Sequence, residues 1–338
     1  MGITLSDIAK HCGVSSATAS MIVNGKTKRF SDATISKVEK AIKELNYTPN
    51  YAARTMVTNT TNTIGLVVTD VSDHFFGRIA KGVSQITNEC GYDLLLASTD
   101  GSLKKEQDYI KVFKSRGVDG IIFAPLNTVE EDEAFEQLFE SGYPFVTIER
   151  YLSNTAISSV KMNNYQGMFD LTKMFINKGH KRLAFITGPM SVKSSRLRYR
   201  GFIEAHKDSN LTIDSSLVYL GDYSYESGVK VGKEFLKHYT PDITGVIASN
   251  NDMEYGFYEV LKDAGIILNK DISIAGGGGG IAPYPVIEPK FTSIDASSRR
   301  LGLTATKMLI SLLKKEKLEE NNIVLDLDIQ DRGSIQEV

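Results

Sequence analysis

Polar and aromatic side chains that could hold a small molecule recur directly after apolar segments along most of this 338-residue chain. The apolar segments predict parallel strands, whose carboxyl ends meet at one edge of a sheet, so we expect these side chains to converge on a cleft. Carboxylates, amides and arginines hydrogen-bond hydroxyl groups, and aromatic rings stack on a sugar or a nucleobase. The residues in such positions are Asp70, Asp73, His74, Phe75, Phe76, Glu149, Arg150, Arg196, Arg198, Asp222, Tyr223, Asn250, Asn251 and Asp252.

Several of these positions also suit a structural role. Phe75 and Phe76 are compatible with a hydrophobic core, and Glu149 with Arg150 could form a surface ion pair. Both interpretations are open at these positions.

Small hydroxyl side chains concentrate in a second place, residues 15–20 near the amino terminus. Gly13 indicates a tight turn just before them, and a helix that begins with short polar side chains can reach base edges in the DNA major groove. The apolar residues Val14, Ala19 and Ile22 would then face inward. Because serines also cap the helices of any small bundle, DNA binding and a purely structural role both remain open.

Three short helices are predicted in the first 46 residues. Ser6 is the expected cap of the first helix, the second covers residues 15–24, and Ser31 or Asp32 caps the third. Residues 50–63 follow as a hinge, since their TNTTNT segment has nothing to pack. The third helix carries an apolar stripe that can close a small core, formed by Ile35, Val38, Ala41, Ile42 and Leu45.

The amino-terminal part is basic although the whole chain carries a net charge of −2. Residues 1–62 contain eight Lys or Arg against four Asp or Glu, so the remainder is acidic. A basic head on an acidic body fits a chain whose small end meets a polyanion. A chance distribution of a few surface lysines is the alternative.

Strands and helices alternate from Ile64 onward, a pattern typical of parallel sheets with crossover helices. The strands are too many for one sheet, so we expect two α/β lobes with a cleft between them. The predicted strands are Ile64–Val68, Tyr92–Ala97, Gly120–Ala124, Phe145–Ile148, Leu183–Thr187, Val218–Leu220, Gly245–Ala248, Ile272–Ala275, Phe291–Ile294 and Ile323–Ile329.

Other classes of protein find little support in the sequence. No apolar run approaches the ~18 residues of a membrane span, and Asp7 and Lys10 interrupt the stretch that a signal peptide would need, so we expect a cytoplasmic protein. Two cysteines cannot form a four-ligand zinc site. The five histidines pair with no nucleophile or metal set. We therefore expect no enzyme, no cofactor and no metal ion.

The segment TLSDIAKHCGVSSATASMIVNG, followed later by ELNYTPNYAARTM, closely resembles the headpiece of the LacI/GalR (lactose-repressor) family. The body resembles the same family through GLVVTDVSDHFFGRIAKGV, GYDLLLASTD, VDGIIFAP and KGHKRLAFITGP, so the resemblance covers essentially the whole chain. It implies a helix-turn-helix head over 1–48, a hinge over 49–62, and a two-lobed, periplasmic-binding-protein-like body with parallel sheets over 63–338. Lobe one would hold about 63–160 and 295–320, and lobe two about 161–294 and 321–330.

The resemblance also implies which residues meet DNA. The hinge would enter the minor groove, where Met56 stands in place of the family's usual leucine wedge. Ala19 and Met21 are further departures, which leaves the operator sequence open. The implied DNA-binding residues are Thr4, Ser15, Ser16, Ala17, Thr18, Ser20, Met21, Asn24, Lys28, Arg29, Asn50, Ala53, Arg54 and Met56.

For the cleft, the resemblance implies an effector site with two departures. Asn251 stands where the family usually has an aspartate, and the five-glycine run Gly276–Gly280 replaces a segment that usually supplies another. Five glycines carry a large ordering entropy, so this run is expected to be mobile. His180 matches a helix-to-strand turn and is expected to be structural. The implied effector-binding residues are Asp73, Phe75, Phe76, Arg150, Arg198, Tyr223, Asn250 and Asn251.

By this resemblance the chain is a regulator of transcription, more specifically a repressor, that binds a palindromic operator as a homodimer or tetramer. Helices 75–90 and 252–264 would form the subunit contacts. The expected effector is a carbohydrate or its phosphate, with a purine or a partner protein as alternatives. A solute-binding protein with no role in gene regulation is the rival from another class.

Overall fold

The computed structural model describes residues 3–47, 60–124, 133–277, 290–295 and 298–338. These residues fall into two compact units, one within 1–61 and the other within 62–338. The predicted hinge residues Asn50, Ala53, Arg54 and Met56 lie outside the described residues, as do Gly278–Gly280.

The first unit contains three helices, α1 (Leu5–Cys12), α2 (Ser16–Val23) and α3 (Asp32–Glu44). The prediction that Ser6 caps α1 is wrong, because Thr4 does so in a reciprocal arrangement with Asp7. The Asp7 amide donates to Thr4 Oγ1 at 3.3 Å, and the Thr4 amide donates to Asp7 Oδ2 at 2.9 Å. This exchange satisfies two backbone N–H groups at the start of the helix, those of Thr4 and Asp7.

The apolar stripe of α3 closes a small core, as predicted. Gly13 ends α1 in the left-handed region at φ 61°, which turns the chain into α2. Ile35, Ile42 and Leu45 pack at the margin of this core. The buried side chains are Ile8, Ala9, Cys12, Ala19, Ile22, Val38 and Ala41.

The second unit has two six-stranded sheets among its described residues. The first sheet contains β1 (Thr63–Val68), β2 (Asp93–Ser98), β3 (Gly120–Ala124), β4 (Phe145–Ile148), β5 (Ser159–Met162) and β11 (Asn322–Leu325). The second contains β6 (Leu183–Thr187), β7 (Val218–Leu220), β8 (Gly245–Ala248), β9 (Ser273–Gly277), β10 (Thr292–Asp295) and β12 (Asp328–Gln330). The spatial orders are β11-β5-β4-β3-β1-β2 and β12-β10-β9-β8-β6-β7. Apart from the antiparallel β10–β12 pair, the described neighbours run parallel.

Helices cover both faces of each sheet. The residues of β3 illustrate this arrangement. Ile121 and Phe123 pack into the hydrophobic cluster on one face of the first sheet, whereas Ile122 and Ala124 pack into the cluster on the other face. The first sheet packs against α4 (His74–Cys90), α5 (Leu103–Ser115), α6 (Glu133–Glu140) and α11 (Ser298–Leu313). The second packs against α7 (Asn164–Asn177), α8 (Lys193–Asp208), α9 (Tyr225–Leu236) and α10 (Asn251–Asp263).

The last predicted strand, Ile323–Ile329, is in fact two strands in different sheets. β11 pairs with β5 in the first sheet, and β12 pairs with β10 in the second. The chain therefore crosses between the lobes after residue 325, and residues 322–325 belong to the first lobe rather than to the second as expected. Both partners of these strands are distant in sequence, so no local pattern could reveal the break.

None of the described helices is both long and apolar enough to cross a membrane.

Candidate functional site

The exposed face of α2 carries several of the side chains predicted to read DNA. Ala17, Met21 and Asn24 are spaced so that they share one face of the helix. All three are exposed, and Met21 shows 39% of its surface to solvent. Ser16 is also exposed, in the first turn. The exposed face of α2 therefore presents small polar or apolar side chains and one flexible apolar side chain, Met21, to solvent.

Several of the predicted DNA-binding side chains also make contacts within the head. Ser15 caps α2, since its Oγ accepts from the Thr18 amide at 3.1 Å and lies 2.9 Å from Thr18 Oγ1. Asn24 donates from Nδ2 to the Ser20 carbonyl at 2.7 Å. Thr4 holds Asp7 in the capping exchange of α1. The structure thus orients this surface before any ligand arrives.

Lys28 and Arg29 lie exposed in the connection between α2 and α3. They place positive charge a few residues beyond the end of α2, where neighbouring phosphates of a bound duplex could be neutralised. The basic character found in the sequence is therefore on the surface and accessible.

In the body, Arg198 joins the two lobes through a chain of hydrogen bonds. The Arg198 side chain, 5% exposed on α8, donates from Nε to Asn164 Oδ1 at 2.8 Å and from Nη1 to the Ser249 carbonyl. Asn164 Nδ2 in turn donates to Glu149 Oε2 at 2.8 Å. Glu149 follows β4 of the first lobe, so the chain runs from one lobe to the other.

Burial raises the pKa of Glu149, and the hydrogen bonds from Met162 and Asn164 and the charge of Arg198 oppose that rise. Tyr151 belongs to the same cluster, because its hydroxyl lies 3.3 Å from Asn164 Nδ2. The sequence placed Glu149 among the candidate cleft residues because it follows a buried strand, with a surface pair to Arg150 as the alternative. Tyr151 and Asn164 were not identified from the sequence.

The expectation that Arg150 faces the cleft is not supported. Its side chain is 1% exposed and donates from Nη1 to Glu106 Oε1 at 2.7 Å. Its guanidinium also lies 4.1 Å from the centroid of the Phe135 ring. Glu106 and Phe135 belong to α5 and α6, whereas the neighbouring Glu149 faces Asn164. Glu149 lies just beyond the end of β4 with a positive φ of 54°, and its side chain and that of Arg150 make their contacts in different parts of the body.

The loop after β1 brings a carboxylate towards the second lobe. Asp73 caps α4 by accepting from the Phe75 amide at 2.7 Å. Its pKa is raised by burial first and then by the nearby charge of Asp252 on α10. Phe76, by contrast, is 4% exposed and packs in the core of the first sheet, which corrects its predicted role in the cleft. Phe75 is partly buried and meets Phe76 edge to face at 5.2 Å.

Tyr223 and Asn250 lie together in the second lobe, beyond the ends of β7 and β8. Asn250 caps α10 and donates from Nδ2 to the Tyr223 carbonyl at 2.7 Å. The Tyr223 hydroxyl lies 2.6 Å from Ser195 Oγ on α8. Tyr223 adopts a positive φ of 75°, and its ring lies over Gly188, where a Cβ would come within 2.2 Å. Ser195 was not identified from the sequence.

Asn251 hydrogen-bonds a buried acidic side chain, that of Glu254, which was not identified from the sequence. Its Nδ2 donates at 2.9 Å to Oε2 of Glu254, a side chain with no exposed surface. A Cβ at Gly276 would lie 3.0 Å from the carboxyl carbon of Glu254. Burial raises the pKa of Glu254 to about 8. Gly276 and Gly277 are buried in β9, so the predicted mobility is wrong for these two glycines.

The histidine in the turn before β6 is structural, as expected. His180 is fully buried, with Nδ1 2.8 Å from Thr244 Oγ1 and Nε2 3.1 Å from the Gln336 carbonyl oxygen. In the described parts of the chain, no three His, Cys, Asp or Glu side chains are arranged to hold a metal ion.

Both units of the chain match known families. Residues 4–50 match the family described as "Bacterial regulatory proteins, lacI family", and residues 61–330 match "Periplasmic binding proteins and sugar binding domain of LacI family". The HTH-type transcriptional regulator RegA of Clostridium saccharobutylicum is 32% identical over 99% of both chains. The ribose operon repressor of Escherichia coli (strain K12) is 30% identical over 98% of this chain and 99% of its own.

Solved structures confirm the predicted fold class. The lac repressor dimer bound to operator and the anti-inducer ONPF has a TM-score of 0.87 at 23% identity, covering 99% of this chain and 100% of that one. The complex of the transcriptional regulator CelR with cellobiose has a TM-score of 0.71 at 28% identity, covering 98% and 99%. A helix-turn-helix head and a two-lobed body of mostly parallel sheets are thus shared with known regulators.

Proposed function

The chain belongs to the lacI family of bacterial regulatory proteins, which are DNA-binding regulators of transcription, and from this premise we propose how it acts. It binds a palindromic operator as a homodimer and represses transcription there, in the cytoplasm. A small effector held between the two lobes of the body controls its affinity for DNA.

The exposed face of α2 is the observation that carries this proposal. Ser16, Ala17 and Met21 are small or flexible side chains that can approach base edges closely. Lys28 and Arg29 supply the charge that binds phosphates without regard to sequence. Two such heads related by a two-fold axis would read the two halves of a palindrome.

The proposed dimer contacts are the helices α4 and α10, one from each lobe. A change in the angle between the lobes would then move the two heads relative to each other. An effector that binds one lobe arrangement better than the other shifts the population towards it, and operator affinity changes by the same coupling free energy.

The effector we propose is a carbohydrate. The proposed contacts are Asp73, Phe75, Arg198, Tyr223, Asn250 and Asn251, together with Glu149. Carboxylates, amides and an arginine beside aromatic rings are the groups that hydrogen-bond hydroxyls and stack on sugar rings. The names of two relatives agree with this, since one is a ribose operon repressor and another was solved with cellobiose.

Selection from random DNA duplexes tests the proposed function. We expect the purified protein to enrich a palindrome, with an affinity that falls steeply between low and high salt because phosphate contacts release counterions. Ala17→Glu should abolish enrichment by placing a negative charge on the reading face. Ser36→Glu, which adds the same charge to the exposed surface of α3, is the matched control. Enrichment without two-fold symmetry, or equal effects of the two variants, would contradict the proposal.

A further inference from the structure

The carboxyl group of Glu254 lies beside the carboxyl ends of β8 and β9, and it accepts a hydrogen bond from Asn251, one of the proposed effector contacts. Its Oε2 would be 3.0 Å from a Cβ on Gly276 in β9, and that Cβ would be 3.2 Å from the Ala248 carbonyl oxygen at the end of β8. The side chain is fully buried, although a glutamate is rarely buried without a charged partner. This position therefore requires a physical explanation.

Two buried polar atoms beside these strand ends lack a hydrogen-bond partner among the described residues. They are Glu254 Oε1 and Ser249 Oγ. The other oxygen of Glu254 accepts from Asn251, and the backbone carbonyl of Ser249 accepts from Arg198. Leaving a buried polar atom without a partner costs free energy, so native proteins rarely do so where no ligand or water completes the site.

Four acidic side chains, all at least partly buried, are grouped among the proposed effector contacts and their neighbours. Asp73, Asp252 and Glu149 accompany Glu254, and burial is the largest influence on each of the four, raising its pKa. The cations in this neighbourhood are Arg198 and Lys161, which both lower the pKa of Glu149, and Arg332, which lowers that of Glu254. His74 can add a further charge beside the two aspartates when it is protonated.

We propose that the effector carries a protonated amine that donates to Glu254 Oε1, so that it is an amino sugar or a similarly hydroxylated amine. This inference rests on the proposed function, because it names the chemistry of the same effector site. An ammonium group has three donors, so it can serve more than one acceptor. Burial disfavours the charged form of the Glu254 carboxyl, and a ligand cation beside it would stabilise that form and donate the compensating charge-assisted hydrogen bond.

A phosphorylated sugar fits these surroundings poorly. Its phosphate would place negative charge beside four acidic side chains, and Arg198 already donates to Asn164 Oδ1 and to the Ser249 carbonyl. Like charges in a poorly solvated cleft repel strongly. The structure therefore favours a cationic effector over an anionic one.

The test compares three sets of probes on the full-length protein. They are glucosamine, galactosamine and mannosamine, the three parent sugars, and the three parent 6-phosphates, each followed by calorimetry and by the shift in melting temperature. We expect at least one amino sugar to bind roughly tenfold more tightly than its parent sugar, the gain that a charged hydrogen bond gives. The phosphates should not bind.

Glu254→Gln is the decisive variant, because it keeps the shape and an acceptor for Asn251 while removing the charge. It should reduce the preference for the amine to roughly twofold or less, with melting shifts taken against the variant's own ligand-free value. Glu259→Gln, an exposed change on the same helix, should leave that preference unchanged. Equal amine binding by the wild type and Glu254→Gln, tighter binding of a parent sugar or phosphate, or no binding of any amino sugar would overturn the inference. Operator selection on the same preparation shows whether the proposed function stands independently.

Discussion

Glu149 and Arg198 belong to different lobes, yet both hydrogen-bond the same side chain. Asn164 donates to Glu149 Oε2 and accepts from Arg198 Nε, each at 2.8 Å. One buried amide therefore connects a carboxylate after β4 with an arginine on α8. A ligand that competes for either group would change how the lobes are held together, which is the coupling that an allosteric regulator requires.

Replacing Arg198 by alanine should weaken effector binding by about tenfold or more, since a buried charge-assisted hydrogen bond is worth about 1.5–3 kcal/mol. Operator binding in the absence of effector should survive, because the head is a separate compact unit. Calorimetry with a binding sugar and DNA titration measure the two effects. Arg196→Ala, on the same helix as Arg198, removes only contacts to the Met190 and Ser191 carbonyls before that helix, and it is the control. An unchanged effector response in Arg198→Ala would show that the cleft is mapped incorrectly.

The buried pair of Arg150 and Glu106 should behave as a stabilising contact of the first lobe. Arg150→Met removes the arginine from a carboxylate that is 4% exposed, and such a change typically costs about 3–5 kcal/mol. Adding Glu106→Gln should recover most of that loss, because the double variant has no buried charge at this place. Urea denaturation of the four proteins gives the coupling free energy. A pair that couples by less than about 0.5 kcal/mol would mean that solvent reaches it.

Lys28 and Arg29 should contribute to operator affinity through phosphates rather than bases. Each alanine substitution should reduce the slope of log K against log salt by about one per lost phosphate contact, hence by about two per dimer. The preferred operator sequence should stay the same. Met21→Ala, in contrast, should alter the selected sequence with little change in the slope. Fluorescence anisotropy at several salt concentrations distinguishes the two effects, and a change of sequence preference in Lys28→Ala would contradict this assignment.

Much of the fold follows from local patterns in the sequence. Strands such as β3, β4 and β6 are short and mostly apolar, and their ends are predicted without error. The segment 322–330 fails because its division depends on pairing with β5 and β10, far away in the chain. The cap of α1 fails for a local reason, since Thr4 and Ser6 are equally good caps until Asp7 is seen to complete the exchange with Thr4.

The candidate site was less predictable than the fold. The pattern predicted a group of polar residues at strand ends, but it could not tell which of Glu149 and Arg150 contacts the second lobe. Phe76 was assigned to the cleft although α4 directs it into the core. Glu254 carries no sequence signal, because an acidic residue in the first turn of a helix is ordinary and its burial depends on the close approach of β9.

The raised pKa of Glu254 predicts that the protein loses stability as the pH rises. Below about pH 4.5 the carboxyl is protonated in both states; above it the unfolded chain releases the proton, while the folded protein keeps it until about pH 8. Folding therefore becomes less favourable through this window, by on the order of 5 kcal/mol at most. Glutamine does not titrate, so the melting temperature of Glu254→Gln should exceed that of the wild type increasingly from pH 5 to pH 8. Scans of both proteins and of Glu259→Gln measure this, and a constant difference across the range would show that the Glu254 carboxyl is charged in the folded protein throughout.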